Sequence, residues 1–312
     1  MRRSWVRIPG GALLAFAVLA AALFGSSDFC AARVARVLSS VTIARTSVYV
    51  SLALSPIVLL VDPGRWSVRD ATVGALAGVA MMLGLIQLYR GYAEARMGIV
   101  APSSAVLAAA VPVLVDLARG VRPGTLATVG VLVGLAAIAL TGYVPGGGGS
   151  VRLGVIFGAG SGLGFGAAFT IMGEASAAAG LTPIVTQRAA GVVMLSMLGL
   201  VMRRPTAPAP ALAPGPAPAL APRPARLPAP FFTPRGPTLA WTLAAGTFDI
   251  CAIGALQLAL RDGDSGIVSV AASQFGTAAV LLSVAFNGER MRWWQALGVA
   301  CSALGVALLA LD

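Results

Sequence analysis

The chain has 312 residues, of which 58% are hydrophobic and 11% charged. Soluble domains carry roughly 25% charge, so the composition excludes a pair of soluble domains and indicates a polytopic membrane protein. There is no His and no Lys, and all 22 basic residues are Arg, which removes Ser-His-Asp and Cys-His catalysis, HExxH zinc sites, the P-loop lysine and Schiff-base lysines.

Apolar stretches of spanning length predict ten membrane helices. They cover 11–31, 41–61, 71–90, 98–118 and 124–143, then 151–172, 182–202, 238–260, 266–287 and 293–311. The first follows Met1-Arg2-Arg3 and runs on into further spans, so an uncleaved helix is expected rather than a signal peptide. Pro145 and Gly146 to Gly149 form a flexible joint near the middle. Residues 203–237 are rich in Pro and Ala and hold five Arg. Such proline density forbids a helix and predicts a polar loop, disordered or polyproline-II.

The formal net charge of +11 comes from Arg scattered at the ends of apolar runs, not gathered in a patch with aromatics. Anionic lipid headgroups, and no nucleic acid, are the expected counterpart. Cys30, Cys251 and Cys301 lack metal-site spacing and make no disulfide framework. Neither a cofactor nor a metal is expected. With no paired carboxylates at acid/base spacing and no nucleophile beside a base, an enzyme is not expected either.

The chain carries an internal repeat. Gly98-Ile99-Val100 recurs as Gly266-Ile267-Val268, and the same offset of 168 pairs Gly120 with Gly288, Arg122 with Arg290, and Gly130 with Gly298. Gly84, Gln87 and Leu88 recur as Gly254, Gln257 and Leu258. Arg45 and Arg188 both fall in the first turns of the second helix of their half. The reading is all-α, with about ten transmembrane helices in two five-helix halves, 1–145 and 146–312. An odd helix count per half inverts one half against the other, the arrangement of alternating-access transporters.

Ionisable residues inside spans are costly and are the first functional candidates. Asp249, at the middle of the eighth span, leads, because a lone interior carboxylate suits reversible protonation. Asp28 follows Phe24-Gly25-Ser26-Ser27 in the first span. Arg188, after Thr186 and Gln187, is a candidate for binding an anionic group or pairing a buried carboxylate. Gln87, Gln257 and Gln274 are candidates for interhelical hydrogen bonding or substrate contact. Asp116 and Arg119 are expected to form an ordinary same-face pair at a helix end, and Glu289 and Arg292 another. Gly158, Gly160, Gly162, Gly164 and Gly166 lie inside a span, where close helix packing is expected rather than a phosphate loop.

In this order the motifs resemble the EamA-type branch of the drug/metabolite transporter superfamily. The resemblance runs from Phe24-Gly25-Ser26-Ser27-Asp28-Phe29 to the C-terminus, without the proline-rich loop. It includes Tyr89-Arg90 and Gly98-Ile99-Val100-Ala101-Pro102, Thr182-Pro183 with Arg188, and Gly246 to Asp249. It closes with Asn287-Gly288-Glu289-Arg290 and Gln295-Ala296-Leu297-Gly298. Two departures stand out. The first-half turn reads Gly120-Val121-Arg122, without its acidic residue. The ninth helix reads Ser273-Gln274-Phe275-Gly276, without the proline the family often has there.

The resemblance implies cytoplasmic termini and a central cavity between helices one, three, four, six, eight and nine. It implies export of a small metabolite or drug across the bacterial cytoplasmic membrane, often coupled to protons in the superfamily. Asp249 and Asp28 would be the protonatable or cation-pairing groups, Arg188 a charge partner, and the Gln residues substrate-orienting. The expected partners are membrane lipids and a small-molecule substrate, with a homodimer left open. A membrane scaffold or regulator that keeps the fold, with the 203–237 loop as its partner-binding element, is the alternative.

Overall fold

The computed structural model describes residues 10–34, 40–95, 97–143, 150–201, 236–261, 264–287 and 291–311. The Pro145–Gly149 joint, the Glu289 turn and the proline-rich loop up to residue 235 lie outside them. The described residues form eleven α-helices. In the first half these are α1 (Gly10–Val34), α2 (Ser40–Val58), α3 (Val68–Glu94), α4 (Met97–Ala118) and α5 (Thr125–Gly142). The second half holds α6 (Val151–Gly173), α7 (Thr182–Val201), α8 (Pro237–Leu260), α9 (Ser265–Ala272), α10 (Phe275–Asn287) and α11 (Trp293–Ala310).

Eight segments are long and apolar enough to cross a membrane, and α9 with α10 count as one of them. Large apolar side chains such as Leu19, Leu76, Leu114, Leu132, Leu163 and Leu281 are exposed on these helices. A soluble protein seldom leaves so much apolar surface uncovered, and lipid is the solvent that suits it.

Local chemistry sets the ends. Ser67 and Ser150 cap α3 and α6, accepting from the backbone N–H of Asp70 (3.0 Å) and Leu153 (3.3 Å). Such caps satisfy donors that a helix start leaves free. α4 closes through Gly120 at φ 84°, with the Val121 N–H returning to the Asp116 carbonyl at 3.0 Å; this is a Schellman-type stop. Pro237 opens α8 in the first turn, where a missing N–H costs nothing.

Small residues bring the helices together. The closest packed pairs are α1 with α8, α3 and α4 with α6, and α5 with α11. A Cβ on Gly162 would lie 2.5 Å from the Ser104 carbonyl, and one on Gly84 would lie 2.9 Å from the Ser161 carbonyl. The glycine run of α6 therefore serves close backbone approach to α3 and α4.

The span made by α9 and α10 is broken, although the sequence has no proline there. In a continuous helix the Gln274 N–H would bond the Val270 carbonyl. Instead the Gln274 side-chain amide donates to that carbonyl at 3.5 Å, and its backbone N–H turns to Ala271 at 3.3 Å. A side chain that competes for a helix carbonyl breaks the ladder much as a proline does.

Candidate functional site

Arg188 and Asp249 meet inside the bundle. Arg188 Nη1 lies 3.0 Å from Asp249 Oδ2, with the Arg side chain 3% and the Asp side chain 19% exposed. Ser51 of α2 donates to the same Asp249 oxygen at 2.6 Å and also reaches the Gly246 carbonyl at 3.1 Å. A Cβ on Gly246 would lie 2.6 Å from the Val50 Cβ, so its absence is what lets α2 come near enough. Ser47, Ser51 and Ser55 recur every fourth residue and mark one polar stripe on an apolar helix.

The ion pair uses only part of Arg188. Its Nε and Nη2 are buried and meet no hydrogen-bond partner. These two atoms form the edge of a guanidinium that grips a carboxylate or phosphate with two parallel bonds. Gln187 Oε1, beside it in sequence, is also buried and unpartnered.

Asp28 sits apart from this pair but within electrostatic reach of Asp249. Three, seven and eleven residues back on the same helix face are Gly25, Ala21 and Ala17, all buried. Asp28 shares that inward face and is nevertheless exposed. It therefore lines a cleft within the bundle. α1 and α8 run antiparallel: Ser27 donates to the Ala245 carbonyl at 2.9 Å, and Phe29 packs on Trp241 at 6.4 Å between centroids. Asp28 thus lies nearer the start of α8 than the start of α1.

The end of the bundle near the start of α1 is held by polar ties between the two halves. Arg261, after α8, pairs with Asp62 of the α2–α3 connection. Asp70 accepts from the Ser176 N–H and hydroxyl, both at 2.8 Å. Arg119 pairs with Glu174. Asp116 accepts from Ser265 at 2.9 Å and from the Gly266 N–H at 2.6 Å, capping α9. Two backbone bonds run beside these, Arg65 N–H to Ala178 (2.7 Å) and Leu181 N–H to Asp62 (3.1 Å). Gly64 and Gly180, at φ 52° and 56°, pack backbone to backbone there. The expected pairing of Asp116 with Arg119 is replaced. Each reaches across to the second half instead, because its partner there satisfies backbone or charge that the helix end would leave bare.

The glutamines separate into different roles. Gln274 donates to the Gly134 carbonyl of α5 at 3.1 Å and so pins the broken span across the halves. Gln257 is buried with Oε1 unpartnered. Gln87 is half-buried over Gly160, where an added Cβ would lie 2.9 Å from its Nε2. Among the described residues none of the three hydrogen-bonds to Arg188 or Asp249. Ser51 is a site residue that the sequence reading did not name, and the four-residue serine spacing was its signal.

Among the described residues no group of acidic, His or Cys side chains could hold a metal. No family model matches the chain, and no curated protein matches it. A solved structure described only as "Crystal structure of protein" superposes with a TM-score of 0.68, covering 96% of each chain at 13% identity. At that identity the likeness concerns the fold alone. The fold and site define a helical membrane protein with a charged, cleft-lining interior.

Proposed function

We propose that the chain is a secondary transporter of the bacterial cytoplasmic membrane, exporting a small metabolite or drug by alternating access. The observation that carries this reading is the buried Arg188–Asp249 pair, held by Ser51 from the other half, beside a cleft lined by Asp28. Charge in the membrane interior is kept where it binds or moves something. A cleft closed by inter-half ties at one end suits one state of a two-state cycle.

The contact pattern supports ten spans in two related halves. Exchanging the halves turns α1 on α8 into α6 on α3, and α3 on α7 into α8 on α2. It returns α5 on α11 to itself. The residues agree with the 168-residue offset: Gly298 packs on Thr141, and Gly130 packs on Leu309, its counterpart contact.

The roles follow from chemistry. Asp28 takes a cationic group or a proton from the end away from the ties. Asp249 exchanges its partner between Arg188 and the incoming group. The unpartnered Arg188 edge receives an anionic group when the cleft deepens. Cells expressing the wild type or Asp249→Asn at equal membrane levels, compared by untargeted profiling of the medium, test the reading. At least one small molecule should accumulate outside wild-type cells and not outside variant cells. Identical media would overturn it.

A further inference from the structure

An apolar groove of about 780 Å³ lies on the outside of the bundle, far from Asp249. Its floor is α4, with Pro102 and Val106; one wall is α6, with Val155; the other is α5 and α11, with Ala139, Tyr143 and Trp294. All these positions lie at the end away from the polar ties, because Asp116, at the far end of α4, belongs to the tied end. Facing lipid, such a groove has the width and chemistry for an acyl chain.

Its rim is polar in a specific way. Trp294 donates its indole N–H to the Tyr143 carbonyl at 3.2 Å and packs on Tyr143 and Trp293. Tyr and Trp collect where headgroups meet hydrocarbon. Arg292 lies over the Trp294 ring, 5.0 Å from its centroid. Arg152 is exposed in the first turn of α6, three residues before Val155 and on the same face. A cation at a helix start opposes the helix dipole, whereas an anion there is favoured. Among the described residues neither Arg takes part in an ion pair. Arg152 and Arg292 thus set positive charge at the mouth of an acyl-sized groove.

We infer that this groove binds one anionic phospholipid, its phosphate held by Arg152 and Arg292 and its acyl chain laid between α6 and the α5–α11 pair. Only the membrane location is needed for this; it does not depend on transport.

The full chain is purified in mild detergent and offered phosphatidylglycerol or phosphatidylcholine with identical acyl chains, and bound lipid is counted by native mass spectrometry. Wild type should retain a single phosphatidylglycerol about tenfold more than phosphatidylcholine. The Arg152→Gln/Arg292→Gln variant should lose that preference. Ala139→Trp, which fills the groove from an exposed position, should lose both lipids; Val155→Trp on the opposite wall is the second test should the first misfold. Undiminished retention in the groove-filled variants, a surviving preference in the arginine variant, or displacement of the lipid by glycerol phosphate would each overturn the inference. No gradient or flux enters the measurement, so a chain that transports nothing would still give the expected result.

Discussion

Arg188 and Asp249 belong to the same half of the chain, α7 and α8, and form a buried ion pair with 3.0 Å between Nη1 and Oδ2. The hydroxyl that shares the Asp249 oxygen, on Ser51, comes from the other half. The pair therefore reports on the relation between halves: when α2 moves from α8, Asp249 loses a donor. Removing one member of a buried pair costs about 3–5 kcal/mol, because the other charge is left uncompensated. Asp249→Ala should thus lower the thermal midpoint in detergent more than the Arg188→Met/Asp249→Leu double variant does. Equal midpoints would mean that the pair is not buried in the membrane-extracted protein.

Asp62 and Arg261 make an ion pair at the tied end, and both are mostly shielded from solvent. Their interaction lies between the surface and buried limits, about 1–3 kcal/mol. Asp62→Arg sets two cations face to face and should favour the state in which this end is parted. Maleimide should then label a cysteine replacing the exposed Asp28 faster from the tied end, in a background lacking Cys30, Cys251 and Cys301. The exchanged pair Asp62→Arg/Arg261→Asp should restore the slow labelling. Fast labelling in the exchanged pair would show that the charge pairing does not hold this end.

Much of this was legible beforehand. Helix positions followed from apolar run length, since a membrane admits few other solutions. Asp249, Asp28 and Arg188 stood out because charge is rare in such helices. That Arg188 faces Asp249 depends on the rotation of two helices 61 residues apart, which no run length encodes. The ties of Asp116, Arg119 and Asp70 were equally hidden. For Asp116 and Arg119 the i, i+3 spacing gave a local reading, while the partners of all three come from connections brought close only by the packed halves. The break in α9–α10 escaped because proline was the expected cause and a glutamine side chain supplied it.

Glycine positions separate into packed and open ones. Gly162 approaches α4 so closely that an added Cβ would meet Leu107 Cβ and the Ser104 carbonyl, both at 2.5 Å, whereas one on Gly276 meets nothing within 4 Å. Gly162→Val should push α6 off α4 and cost roughly 1–3 kcal/mol or more, seen as lower yield and thermal midpoint. Gly276→Ala should change neither, or raise the midpoint slightly through helix propensity, by about 1 kcal/mol at most. Equal tolerance at both sites would deny the α4–α6 approach.

The interruption at Ser273–Gln274 makes a last prediction about motion. Gln274 is buried, holds the Gly134 carbonyl across the halves, and takes the Val270 carbonyl from the helix ladder. Replacing Gln274 by alanine removes the side-chain competitor and offers Val270 to the backbone again. Restored ladder bonds should slow amide hydrogen exchange from Gln274 to Ala278 in the folded protein. The loss of one interhelical hydrogen bond should lower stability by only about 1 kcal/mol. On the proposed transport cycle, a stiffer α9–α10 span would also resist the rearrangement between halves, so export should fall more than stability. Unchanged exchange at these amides would mean that the break is fixed by packing around Phe24 and Phe275, whose rings meet edge to face at 6.3 Å, and not by the glutamine.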